Sequence, residues 1–77
     1  MTTNSTITQE YLADLRNERD SWTQAKRQIQ TMYNQHPFDI KVQQCLSEAH
    51  IHATKMEEYA AEVLKIGEEI VAKLEAL

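Results

Sequence analysis

One glycine, one proline and one cysteine in 77 residues leave this chain almost without punctuation. So little Gly and Pro argues against a fold of many short strands joined by tight turns, and favours long helices. A single cysteine, Cys45, excludes an internal disulfide. The lack of a cysteine framework or an N-terminal apolar run of signal-peptide length points to a reducing compartment, most simply the cytoplasm. Apolar runs stop at three residues, too short for any segment to cross a bilayer. There is no excess of basic residues either: eight Lys and Arg stand against twelve Asp and Glu, a formal charge of −4. A net anion is not drawn at long range to nucleic acid or to anionic lipid, so neither is the expected partner.

What is present is helical periodicity. A chain of 9.0 kDa fits one domain spanning residues 1–77. Residues 1–6 read as a frayed tail. Thr6 and Gln9 resemble a capping box for a helix over about residues 7–35. In that helix Tyr11, Leu15, Trp22, Ala25, Ile29 and Met32 recur at steps of four and three, with Glu18 the polar member of the row. His36 and Pro37 predict a turn over about residues 35–38. A second helix is expected over about 38–76, with Asp39 near its positive end. From Val42 through Leu46, Ala49, Ala53, Met56, Ala60, Val63, Gly67, Ile70 and Leu74 to Leu77, the second helix follows the same rhythm with no charged interruption. The short loop forces the helices antiparallel. The expected fold class is therefore all-α: a helical hairpin of two long helices, associating into a four-helix bundle or docking on a partner helix.

Equal rise on both helices about a turn centred near residue 37 pairs residue i with residue 74 − i. Trp22 is then expected against Ala49 and Ala53, as a core anchor. The same register leaves the last turns of the second helix uncovered. Leu64, Ile66, Ile70, Val71, Leu74 and Leu77 lie there, and aliphatic side chains worth roughly 1.5 to 3 kcal/mol each on burial suggest a protein interface. A secondary flank, Cys45, His52 and Tyr59, recurs every seven residues and suits the second neighbour that each helix of a bundle touches.

Catalytic and metal chemistry find little support. There is no Gly-rich phosphate loop and no cysteine with an obvious base, and Glu57, Glu58, Glu62, Glu68, Glu69 and Glu75 read as a solvated face. Cys45, Glu48, His52 and Met56 are possible metal ligands near one face, but one cysteine and one histidine do not close a tetrahedral site. Glu18 is a candidate partner for His52 or the Tyr59 hydroxyl, and His50 is expected to be solvated. Arg16, Arg19, Lys26 and Arg27 form a modest basic edge interleaved with acids. The expectation is a non-enzymatic interaction module without cofactor or metal, acting as an adaptor, chaperone or inhibitor, whose partner is another protein or a second copy in a homodimer. The alternatives are a nucleic-acid-binding hairpin dimer and a metal-binding helical bundle.

Overall fold

The computed structural model describes residues 2–77, with side chains from residue 8 onward. Two helices, α1 (Thr2–Gln35) and α2 (Ile40–Glu75), form the antiparallel all-α hairpin that the periodicity predicts. At about 1.5 Å rise per residue, helices of 34 and 36 residues account for the length of a body measuring 58 × 17 × 11 Å. It is a flat ribbon, two helices wide and one helix thick.

Both ends of the turn have a local cause. His36 N–H donates to the Tyr33 carbonyl and Asp39 N–H to the His36 carbonyl, which closes a tight turn around Pro37 and Phe38. Proline suits the second position of such a turn because its φ is already set. Asp39 is extended, at φ −101° and ψ 95°, and its Oδ1 accepts the Val42 N–H at 3.1 Å. It is thus the N-cap of α2, which starts at Ile40 rather than at 38. At the other end α1 begins at Thr2, not near Ile7. Thr6 therefore lies within the helix instead of capping it, and its side chain, like all of Met1, lies outside the described residues.

This longer α1 and a shifted register change what the hairpin covers. Gly67, expected opposite residue 7, instead lies under Tyr11 and Leu15. Side chains lean toward the N-terminus of their own helix. In α1 this lean points away from the turn and in α2 toward it, so each residue of α2 meets a residue of α1 nearer the turn than equal rise suggests. Hence α1 covers the seam side of α2 almost to its end. Leu12, Leu64 and Val71 form the buried cluster, with Leu15 packed against it.

The seam of α2 runs through Leu46, His50, Ala53, Glu57, Ala60, Leu64, Gly67 and Val71, at least half-buried throughout. The small residues Ala53, Ala60 and Gly67 recur every seven positions and are all buried, which lets the helices approach closely. Trp22 is not a core anchor. It is half-buried, edge-on to His52 with ring centroids 6.0 Å apart.

Candidate interaction surface

Of the row expected as the seam of α2, Leu46, Ala53, Ala60 and Gly67 do face α1, whereas Met56, Val63 and Ile70 give way to Glu57, Leu64 and Val71, one residue later in each case. On α2, His52, Tyr59 and Ile66 directly precede Ala53, Ala60 and Gly67, and Val63 and Ile70 precede Leu64 and Val71. On α1, Tyr11 precedes the buried Leu12, and Trp22 and Ala25 precede the seam residues Thr23 and Lys26. One residue is about 100° of rotation. Because both helices are right-handed and run antiparallel, stepping back one residue from the seam turns each toward the same broad side of the ribbon. Two contacts fit this geometry: the Trp22 ring meets His52, and Tyr11 lies over Gly67.

The outcome for the expected interface is mixed. Leu64 and Val71, only 4% and 6% exposed, belong to the hairpin's own core and do not form an external surface. The reason is the early start of α1 and the register shift, which together remove the overhang. Ile66 and Leu74, at 56% each, Ile70, and Tyr59, at 64%, are open to solvent. Leu77 ends the chain fully exposed. Cys45 and His52 are exposed on the same heptad flank as Tyr59. The unpartnered apolar surface is therefore a side of the ribbon and not its end. Tyr11 and Met32, read from the sequence as seam residues, are exposed too. At the hairpin tip Phe38 and Ile40 are exposed, a second and smaller apolar feature that no periodic signal marks.

The seam carries polar groups that the period did not assign to it. Glu57, expected on the solvated face, accepts from Thr23 Oγ1 at 2.5 Å and from Lys26 Nζ at 3.0 Å. These two hydrogen bonds, Thr23 first, hold its carboxyl below the usual carboxylate range, aided by the charges of Lys26 and Arg19. Opposite charges on facing helices are the available sequence signal, masked by the apolar Ala25 and Met56 that directly precede Lys26 and Glu57. Glu18 accepts from Trp22 Nε1 at 3.1 Å rather than meeting His52 or Tyr59. His50 is half-buried, not solvated, and lines a shallow cleft of about 270 Å³ with Ile29, Tyr33 and Leu46.

Cys45, Glu48, His52 and Met56 do not assemble a metal site: among the described residues no three His, Cys, Asp or Glu side chains converge. No described helix is long and apolar enough to cross a membrane. No family model, curated protein or solved structure matches this chain.

Proposed function

We propose that the chain is a small non-enzymatic protein–protein interaction module, an adaptor, chaperone or inhibitor working in the cytoplasm through one apolar side of its hairpin. The observation that carries this is the set of large exposed side chains on one side of the hairpin, Tyr59, Ile66 and Ile70 on α2 with Tyr11 and Met32 on α1, joined near the end of α2 by Leu74. Surface hydrophobics scattered singly need no explanation, whereas several large ones gathered on one side mark a binding surface. A row with 3.5-residue spacing suits another helix lying along it. The buried core supports the same view. Leu12, Leu64 and Val71 are its only large members among the described residues, and chains of this size gain stability by association. The polar cluster of the seam, Thr23, Lys26 and Glu57, is closed on itself as a link between helices. A free, exposed Cys45 fits a reducing compartment.

The test is site-specific photo-crosslinking in cells. A photoreactive phenylalanine analogue at Tyr59, on the apolar side, is expected to trap a protein of defined mass. The same analogue at Ala61, exposed and turned toward the opposite side, is expected to trap none. Absence of any adduct from position 59, or equal adducts from both positions, would refute the assignment.

A further inference from the structure

We infer that the occupant of this apolar side is a second copy of the same chain, the two hairpins stacking face to face as a four-helix bundle. The inference rests on the interaction surface proposed above and names its partner.

Angles carry the first part of the argument. In a four-helix bundle each helix touches two neighbours whose directions differ by about 90°. On α2 the buried seam through Ala53, Ala60 and Gly67 and the exposed row through His52, Tyr59 and Ile66 differ by one residue, about 100°. The first direction is filled by α1; the second is the direction of a bundle neighbour. Since α1 shows the same offset toward the same side, the vacant neighbours of both helices lie in one plane. The partner that fits is therefore two helices wide, not a single helix in a groove.

Size and charge then select this chain as that partner. The ribbon measures 58 × 17 Å across its broad side, a footprint on the order of 1,000 Å² against the ~800 Å² per partner of a standard stable interface. A copy of the hairpin matches that footprint in length and width, and a two-fold axis in the plane makes the surface self-complementary. The chain's charge of −4 does not oppose the stacking. On α2 the row through Cys45, His52, Tyr59 and Ile66 meets a charge only at its two ends, Glu48 and Lys73, which are of opposite sign, and on α1 the row contains Glu18 alone, whose carboxylate accepts the Trp22 indole N–H. The acidic groups Glu58, Glu62 and Glu69 of α2 fall at positions outside that row, so most of the acidic charge lies away from the stacked faces.

The deciding measurement is the mass of the full chain by sedimentation equilibrium across a wide concentration range, with circular dichroism on the same samples. Wild type is expected at twice 9.0 kDa. Ile66→Asp places a charge in the interface twice by symmetry, and is expected to weaken self-association by roughly 100-fold or more. Ala61→Asp, on the opposite side, is expected to leave it unchanged. A helical wild-type chain that stays at the single-chain mass at every concentration overturns the inference, as does Ile66→Asp dimerising like wild type. Should Ile66→Asp lose its helical signal, crosslinking from position 59 between two differently tagged copies decides. An intermolecular adduct carrying both tags supports the second copy. Adducts from position 59 to another protein alone overturn it while leaving the interaction module standing.

Discussion

Gly67→Ala separates the observed packing from the simple expectation for an exposed helical glycine. In open helix, alanine is favoured by about 0.8 to 1 kcal/mol. Here a Cβ at position 67 would meet Leu15 Cδ1 at 2.5 Å and Tyr11 Cε2 at 3.2 Å. Relieving the first contact needs Leu15 to move by about 1 Å, and Leu15 is already packed against the Leu12, Leu64 and Val71 cluster. Overpacking of this kind costs roughly 1 to 3 kcal/mol. The net effect is therefore destabilising by about 1 kcal/mol, which in a domain of this size lowers Tm by ~4–8 °C. Thermal circular dichroism at one fixed chain concentration measures it, because association makes Tm depend on concentration. The origin is checked in a Leu15→Ala background, where the obstructing methyl groups are gone and Gly67→Ala is expected to stabilise. Gly67→Ala raising Tm in the wild-type chain, or shifting it equally in both backgrounds, would refute the close approach of α1 at this point.

Three further outcomes are expected. Asp39→Ala removes the acceptor for the Val42 N–H and should cost about 1 kcal/mol, most of it restored by Asp39→Asn, in chemical denaturation. Ala53→Leu adds three carbons at a position 1% exposed and should lower stability by roughly 1 to 3 kcal/mol in the same assay. Glu57 has a folded-state proton affinity below that of a free carboxyl, so its contribution is present above the ordinary value of 4.5 and is lost as pH falls through the lower folded value. Tm should accordingly fall more steeply on acidification in wild type than in Glu57→Gln; parallel acid limbs would contradict the Thr23 and Lys26 contacts.

The hairpin itself was legible in the sequence because few residues interrupt it: Pro37 marks the turn, and the four-three rhythm elsewhere leaves no room for strands. The candidate surface was legible only as a composition. Ile66, Ile70 and Leu74 exceed what the seam can bury, and all three are exposed, but periodicity alone places them at an end of the hairpin instead of on a side. Two physical facts were missing. The small polar residues at the start of α1 carry no helical period, so the sequence alone places the start of the helix late and leaves an apparent overhang. The second is that a helix with apolar residues at three or four of seven positions does not disclose which of two adjacent rows faces its nearest neighbour. The rows through Tyr59 and through Ala60 have the same period and differ by a single step.

Side-chain size decides between those rows at the close positions 53, 60 and 67. Where the sequence reads Tyr59 then Ala60, or Ile66 then Gly67, the smaller member takes the seam and the larger takes the outer row, because only small side chains permit the close approach seen where Gly67 meets Leu15. A seam lined with alanine and glycine, however, is weak at fixing register: one smooth helix face slides along another at little cost. Thr23, Lys26 and Glu57 supply the missing discrimination. A slip of one turn, about 5.4 Å, would carry the half-buried Glu57 carboxylate away from both donors. Leaving a partly desolvated charge unpaired costs more than the intact cluster contributes. The division of labour follows from the residue types: Ala53, Ala60 and Gly67 set the spacing of the two helices, one polar cluster sets their register, and Tyr59 and Ile66, too large for those close positions, are left on one side of the ribbon for a partner.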